Sequence, residues 1–335
     1  MPLEHYINNK NVLYITTKNT DYIRVSQELK LLGEKTSKYR VIGSRSRFYP
    51  MRILSVFLKI LFENIKYYDT VFIGFAPQLV IPLWWFKLKK ADIVTDFFIS
   101  FYDTLCFDRK KIKPDSILGR FIHYIDKGVL KKSALVVCDT VAHGKYFADE
   151  FHIPFDKFYT LYLEADTSIY HPLNLTRPGY LKNKFVVIYF GSGLPLQGID
   201  TVLKAMALLK DDKELHFFFI GHIRNKEAAV QKPVSDNIEY LEWVSQDKLA
   251  EYIDISDLCL AGHFNAEIKK AGRVIAGKTF IYQAMDKMMI LGDNAANREL
   301  FRESDMISFV EMGNEFALAQ KIKKIKEERL ASIHS

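Results

Sequence analysis

The chain has 335 residues, 49% of them hydrophobic and 26% charged, so it can bury a sizeable core and is not disordered as a whole. Its length favours two domains of roughly 150 residues each. The 47 Lys and Arg against 40 Asp and Glu give a net charge of +7, which allows an anionic partner but does not indicate nucleic acid, since no basic stripe is evident.

Nothing in the sequence predicts a disulfide, a metal centre or a leader. The three cysteines lack the spacing of metal or redox motifs, which favours buried thiols in a reducing compartment. They are Cys106, Cys138 and Cys259. The first ten residues show no signal-peptide pattern, and the longest uncharged stretch, 71–86, is interrupted by prolines and too short to span a bilayer. We therefore expect a cytoplasmic protein.

Short apolar runs rich in β-branched and aromatic residues alternate with segments of helical period. The clearest predicted strands are Asn11–Thr16, Thr70–Phe75, Asp92–Phe97, Ala134–Thr140, Phe185–Gly191, Leu215–Gly221, Asp257–Gly262 and Lys287–Asp293. Because these runs are continuously apolar, they predict sheets covered on both faces, with parallel strands joined by helices. This is the α/β pattern.

A polar stretch with two prolines and a glycine separates two such series of strands and helices. We therefore predict an N-terminal domain at 1–172, a linker at 173–184 and a C-terminal domain at 185–312. The remaining segment, 313–335, predicts an amphipathic helix that packs back on one of the domains.

Two segments of the first half favour contact with an anionic membrane. In the helix-period segment 49–68, Arg52, Lys59 and Lys66 recur every seven residues along one face beside apolar residues. In 84–90, two tryptophans precede three lysines, a mixture typical of interfacial surfaces. The alternative is a helix packed against the sheet with its basic edge in solvent, and both interpretations stay open.

The strand Phe185–Gly191 ends in a glycine-containing turn before a helix. Glycine lets a ligand approach the backbone, and a helix N-terminus favours a diphosphate. The candidate binding positions are Gly191, Ser192, Gly193, Gln197 and Gly198. Glycine in such a turn can also be purely structural. The turn lacks the third glycine and the later acidic residue of a dinucleotide-binding motif, which argues against an oxidoreductase.

Two cations, Arg273 and Lys278, lie just before a predicted helix that starts near Thr279. They follow the strand Asp257–Gly262, and ligands of open α/β sheets bind outside the carboxyl ends of the strands. This position favours an anion site. The alternative is a pair of solvated surface charges.

Several different short motifs follow one another over residues 92–303. They are SFYDTL at 100–105 with DR at 108–109, DT at 139–140 with His143, PLQG at 195–198, RVIAGK at 273–278, QAM at 283–285, GD at 292–293 and RELF at 298–301. Together they resemble the retaining glycosyltransferases of the group 1 (family 4) type, which have the GT-B fold. The closest resemblance is to a bacterial subset with a PLQG or PLHG turn and an RVIPNK-like loop.

The resemblance implies two Rossmann-like, doubly wound domains facing across a cleft. It also implies transfer of a sugar, with retention, from a nucleoside diphosphate sugar to a lipid-linked or polysaccharide acceptor, without a metal or a further cofactor. Arg273 and Lys278 would stabilise the charge of the diphosphate leaving group. The backbone around Trp243 would border the base, and Gln283 can hydrogen-bond ribose hydroxyls.

On the acceptor side, Asp103 is the candidate that orients or deprotonates the acceptor hydroxyl, with Asp96 or His143 as alternatives. Each of these side chains can instead cap a helix or pack in the core.

The sequence also departs from the family. The family's paired glutamates fall on Ile275 and Gln283, and its Arg and Lys after the first strand of the second half are missing. This leaves open a catalytically inactive homologue that binds an active enzyme, or a sugar-nucleotide 2-epimerase. The expected partners are the donor, the acceptor and an anionic membrane at its inner face, and no nucleic acid.

Overall fold

The computed structural model describes residues 2–223 and 232–334, which form two compact units, Met1–Leu163 and Glu164–Ser335. Each unit is a six-stranded parallel sheet with helices packed on both faces.

The sheet of the first unit has the strand order β2-β1-β3-β4-β5-β6. Its strands are β1 (Asn11–Thr16), β2 (Lys38–Ile42), β3 (Thr70–Phe75), β4 (Asp92–Asp96), β5 (Leu135–Cys138) and β6 (Phe158–Thr160). Its helices are α1 (Glu4–Ile7), α2 (Ile23–Lys35), α3 (Tyr49–Phe62), α4 (Pro77–Leu88), α5 (Ile117–Lys132) and α6 (Val141–Phe151). Helices α1 and α2 share one buried cluster with the sheet, and α3 to α6 share the other. The sheet is therefore covered on both faces, which explains its continuously apolar interior strands.

The sheet of the second unit has the order β12-β11-β10-β7-β8-β9. Its strands are β7 (Phe185–Phe190), β8 (Leu215–Ile220), β9 (Ile238–Leu241), β10 (Leu258–Gly262), β11 (Met289–Gly292) and β12 (Ile307–Val310). Its helices are α7 (Ile199–Leu208), α8 (Gln246–Asp254), α9 (Gly277–Ala284), α10 (Asn297–Leu300) and α11 (Glu315–His334). Phe217 and Phe219 of β8 pack in the cluster with α7 and α11, whereas Phe218 contacts Tyr252 of α8. Alternate side chains of one strand thus enter two different cores.

The predicted linker 173–184 is part of the second unit. The backbone N–H groups of Leu173 and Leu175 donate to the carboxylate of Asp254 at 2.9 and 2.8 Å. The guanidinium of Arg177 pairs with Asp257 at 2.5 Å. These bonds tie the segment to the C-terminal sheet. The first unit ends at Leu163, nine residues before the predicted end of the N-terminal domain at 172.

Helix α3 is oriented differently from the expectation of an outward basic stripe. Arg52 is buried, and its guanidinium donates to the Ser46 carbonyl at 3.0 and 2.6 Å. Lys59 donates to the carbonyl of Gly43 at 2.7 Å. A guanidinium that replaces its water by a carbonyl can be buried. Between these two cations, Leu54 and Leu58 are exposed, whereas Val56 is buried in the core.

The three cysteines are buried and unpaired, as predicted. Among the described residues, no helix combines the length and the apolar character needed to cross a bilayer.

Candidate functional site

Strands β7 and β10 are neighbours at the centre of the second sheet. The chain continues from β7 to β8 and β9 at one edge, and from β10 to β11 and β12 at the other edge. Such a reversal of strand order opens a crevice at the carboxyl ends of the two strands, where α/β proteins bind ligands. The loops that leave these ends are 191–198 after β7 and 263–276 after β10. They contain most of the binding residues predicted from the sequence.

The loop after β7 packs closely on its neighbours. Gly193 and Gly198 have φ angles of 71° and 69°, which residues other than glycine rarely adopt. A Cβ atom at Gly193 would lie 2.7 Å from the His222 carbonyl oxygen, and one at Gly198 would lie 2.4 Å from Asn265 N. Both glycines are therefore required by the backbone packing of this unit itself. The structural interpretation of these positions holds whether or not a ligand binds.

Tyr189, near the end of β7, contacts both segments that the sequence predicts to bind the donor. Its hydroxyl donates to Gln197 Oε1 at 2.8 Å, and Lys278 Nζ lies 3.7 Å from the centroid of its ring. The loop after β7 and the start of α9 thus meet on one side chain. Tyr189 lies within an apolar strand, and no sequence pattern distinguishes it from its neighbours.

Lys278 is 5% exposed, and burial lowers the pKa of its amine well below the ordinary value. Among residues 2–223 and 232–334, nothing accepts a hydrogen bond from Lys278 Nζ, and the buried Thr279 Oγ1 has no partner either. The face of the Tyr189 ring attracts the ammonium form and partly compensates for its lost hydration. A buried donor without an acceptor is costly, so this position is suited to an anionic ligand that supplies one.

The helix that carries Lys278 also favours an anion at its N-terminus. No side chain caps α9, and its first turn contains no acidic residue. Helix α7 is likewise uncapped by a side chain, but Asp200 in its first turn offsets the positive end of that helix. Of the two helix N-termini that follow these central strands, that of α9 is the better anion site.

Arg273 is half-buried and ends the short turn Lys269–Gly272 that leads into α9. Asn294 Nδ2 lies 3.4 Å from the Ala271 carbonyl oxygen of this turn, and His263 Nδ1 lies 3.3 Å from the carbonyl oxygen of Val274, just after the turn. These contacts hold the segment that leads into α9, in which Lys278 follows Arg273 by five residues.

The other predicted donor-side residues are more exposed. Ser192 is exposed beside its two glycines, and Gln283 is exposed near the end of α9. Trp243 is 76% exposed and follows the edge strand β9. Since β8 lies between β9 and β7, sheet spacing puts β9 about 10 Å from the central strand. Ile275, which the resemblance aligns with a glutamate, is buried and apolar.

The acceptor-side candidates all lie in the first unit and are engaged there. Asp103 is 1% exposed, and its backbone N–H donates to Ser100 Oγ at 2.9 Å. Asp96 accepts from Arg24 Nε at 2.7 Å and from its NH2 group at 3.2 Å, in a buried two-pronged ion pair.

The third candidate, His143, is buried, with its Nδ1 atom 2.7 Å from Asp139 Oδ1. It packs on the ring of Phe147, with centroids 4.1 Å apart. The contact with Asp139 and the packing on Phe147 fix the orientation of this ring.

Sequence reasoning missed a buried carboxylate, Asp126 of α5. Its oxygens accept from Ser100 Oγ at 2.7 Å, from the Tyr102 N–H at 2.9 Å and from Gln78 Nε2 at 3.0 Å. Burial raises the pKa of Asp126 to about 6, although these three hydrogen bonds act to lower it. A signal was available, because Asp126 occupies the apolar face of α5 between Ile122 and Val129.

Residues 184–328 match the family of group 1 glycosyl transferases. No curated protein matches the sequence significantly. The structure is similar to that of Anabaena Alr3699/HepE in complex with UDP, with 11% identity, a TM-score of 0.66, and coverage of 95% of this chain and 90% of that one. A structure of the same Anabaena protein contains UDP-glucose.

Two further structures are similar over most of their length. A glycosyltransferase from Rickettsia africae is 18% identical, with a TM-score of 0.62 and coverage of 96% of this chain and 89% of that one. Sucrose-phosphate synthase from Thermosynechococcus elongatus is 11% identical, with a TM-score of 0.66 and coverage of 95% and 90%. At these identities the likeness concerns the fold. Two doubly wound parallel sheets and these neighbours confirm the predicted GT-B fold class.

Proposed function

We propose that this chain is a glycosyltransferase that takes a sugar from a nucleoside diphosphate sugar bound at the loops after β7 and β10. The observation that carries the proposal is the buried amine of Lys278, which has no acceptor among the described residues and lies at an uncapped helix N-terminus. Two further findings support it: the match of residues 184–328 to group 1 glycosyl transferases, and the UDP and UDP-glucose bound to the Anabaena protein.

In the proposed reaction, the bond between the anomeric carbon and the β-phosphate oxygen breaks, and its electron pair stays on that oxygen. The sugar gains oxocarbenium character while negative charge grows on the diphosphate. Cations held close to the departing oxygen stabilise this charge more in the transition state than in the bound donor. Lys278 and Arg273 have this role. We propose that the step needs no metal ion, and EDTA should therefore leave turnover unchanged.

The acceptor hydroxyl then attacks the same face of the sugar, which retains the anomeric configuration, and its proton leaves to the departing phosphate or to a base. Asp103 remains our candidate for that base. Its burial means that it acts only if an acceptor reaches beneath the surface of the first unit. Trp243 and Gln283 are exposed and not part of the buried core, so their side chains are accessible for contacts with the base and ribose of the donor.

The acceptor we propose is lipid-linked or a growing polysaccharide, glycosylated at the inner face of the cell membrane. This rests on the family resemblance and on the surface described in the next subsection.

A panel of nucleotides tests the donor class. Thermal unfolding is measured with UDP, GDP, CMP and dTDP and their sugars, since a ligand at 100 times its dissociation constant stabilises the fold by about 2.7 kcal/mol. We expect one nucleoside diphosphate to raise the melting temperature and its sugar conjugate to be hydrolysed or transferred. A panel without any shift would refute the proposal.

A second candidate function is that of a catalytically inactive partner of an active glycosyltransferase. It is favoured by Ile275, a buried apolar residue where the family has a glutamate. Nucleotide binding without hydrolysis or transfer, together with activation of a second enzyme by the purified chain, would favour this candidate. A sugar-nucleotide 2-epimerase would instead release the 2-epimer of its substrate sugar without an acceptor.

A further inference from the structure

Helices α3, α4 and α5 form one layer on a face of the first sheet. They share a single buried cluster, to which they contribute Val56, Val80 and Val129 among others. Neighbouring helices also touch directly, since the rings of Phe57 and Trp84 lie 6.2 Å apart and Lys87 donates to the carbonyl of Leu61. The inner side of the layer is thus buried in the core of the unit.

The outer side of this layer, which we call the α3–α5 face, is also apolar. The most exposed of its large side chains are Phe62 at 83%, Phe86 at 79% and Ile117 at 91%. The other exposed apolar residues of the face are Met51, Leu54, Leu58, Leu61, Leu83, Leu118, Phe121 and Tyr124. On α3 these residues recur at intervals of three or four, so they form a ridge along the helix. Single exposed apolar residues are normal on a protein surface, but eleven large ones on three adjacent helices indicate a contact surface.

The charge of the α3–α5 face has one sign. Helices α3 and α4 contain no acidic residue, and the single acid of α5, Asp126, is buried in its hydrogen-bonded site. Basic side chains accompany the apolar ones. They are Lys87, Lys89, Lys90, Arg120, Lys127, Lys131 and Lys132.

A groove between α4 and α5 combines both features. Its volume is about 280 Å³, and its lining includes Ile81, Tyr124, Lys127, Lys131 and Lys132. An apolar floor edged by three ammonium groups suits the phosphate and upper acyl chain of an anionic phospholipid.

We propose that the α3–α5 face docks on a bilayer of anionic phospholipid. The exposed apolar side chains enter the boundary between headgroups and acyl chains, and the lysines contact the phosphates. A second copy of this chain fits less well, because it would oppose one lysine-rich face to another without an acidic partner. The docking goes beyond glycosyl transfer and does not depend on it.

Co-sedimentation of the full chain with vesicles tests this proposal. One set of vesicles contains phosphatidylcholine alone, and the other contains equal parts of phosphatidylcholine and phosphatidylglycerol. We expect binding to the mixed vesicles to be at least about tenfold stronger and to weaken with added salt, as lysine–phosphate attraction is screened.

Two variants divide the apolar and the charged contributions, and a third is the control. The change Leu58→Ser/Phe62→Ser/Phe86→Ser should lower affinity for the mixed vesicles by about tenfold or more, because it removes large inserted side chains. The change Lys127→Gln/Lys131→Gln/Lys132→Gln should remove most of the preference for phosphatidylglycerol.

The control Leu208→Ser/Phe316→Ser alters two side chains of the second unit that are 50% and 61% exposed, and it should bind as the unaltered chain does.

Several outcomes would overturn the proposal: no binding to either vesicle, equal binding to both, or an equal loss in the control. Sedimentation velocity without vesicles tests whether a second copy of the chain binds this face instead. If the chain is a dimer and the apolar variant is a monomer, the α3–α5 face is a dimer interface. Nucleotide-dependent thermal shifts are recorded for each variant. A retained shift without vesicle binding refutes the docking alone, whereas vesicle binding without any shift refutes the donor site alone.

Discussion

Replacing Lys278 by methionine tests the donor site most directly, because it should change two measurable quantities in opposite directions. Methionine has nearly the same length as lysine and fits an apolar site over the Tyr189 ring. Without a ligand, the change removes a buried amine that no described residue accepts a bond from. Such a group costs about 1–3 kcal/mol, and the cation–π contact that the change also removes contributes about 1–2 kcal/mol in the opposite direction, so the central values leave a net gain of about 0.5 kcal/mol. We expect the unliganded variant to be as stable as the unaltered chain or up to about 1 kcal/mol more stable, a rise in melting temperature of about 3 °C.

With ligand, the effect reverses. A charge-assisted hydrogen bond to phosphate is worth about 1.5–3 kcal/mol, so the dissociation constant for the nucleoside diphosphate should rise by about 10- to 150-fold. At a concentration that stabilises the unaltered chain by about 2.7 kcal/mol, the variant should gain only about 0.3–1.3 kcal/mol. Differential scanning fluorimetry, with and without the nucleotide, measures both quantities.

The matched control is Lys204→Met, which removes an exposed lysine of α7 that is ion-paired with Glu315. It should leave the ligand-induced shift unchanged. The reasoning fails if Lys278→Met keeps the full shift, since the wrong loop would then have been assigned. A variant of Lys278 that unfolds several degrees earlier without ligand would show that its amine stabilises the fold, contrary to the cost assigned to its burial.

Three further predictions concern other residues. Because burial raises the pKa of Asp126 to about 6, the folded chain holds a proton that the unfolded chain releases above about pH 4; this contribution to stability is present at low pH and lost as pH rises through 6. Urea unfolding of the unaltered chain and of Asp126→Asn should therefore show that their difference in free energy of unfolding falls by about 2.4 kcal/mol from pH 4 to pH 7, and a constant difference would be contrary evidence. Gly198→Ala should cost about 2 kcal/mol or more, since its Cβ would strike the backbone at positive φ, whereas Gly128→Ala in α5, with open space around it, should stabilise by about 0.5–1 kcal/mol; similar results for both would contradict the packing argument. If Asp103 is the base, Asp103→Asn should lower transfer by about 100-fold or more at nearly unchanged donor affinity, and turnover within a few-fold would remove it from the mechanism.

The sequence predicts the interior of both sheets and not their borders. All eight strands predicted from continuous apolar runs are interior strands, whereas β2, β6, β9 and β12 are the four edge strands. Most residues of β2, and all of β6 and β9, are exposed or half-buried. An edge strand has a neighbour on only one side and needs no apolar run, so the pattern that identifies its neighbours is missing.

For the candidate site, the sequence located the loops but not the contacts within them. Glycines and cations after predicted strands are visible in sequence, and the structure brings Gln197 and Lys278 to the same tyrosine. The sequence could not reveal that Lys278 is buried, because lysine is usually exposed and its environment comes from strands distant along the chain. In the first unit, the partner of Asp96 is Arg24, 72 residues away, which no local pattern indicates.

The tyrosine-bound amine of Lys278 couples donor binding to proton uptake. Burial lowers the pKa of this amine in the empty site, and a diphosphate beside it would raise that pKa again. At any pH at which the amine is neutral in the empty site, Lys278 therefore takes up a proton from the buffer when the nucleotide binds. The enthalpy observed by calorimetry then varies with the ionisation enthalpy of the buffer, and the donor is held more tightly as the medium becomes more acidic.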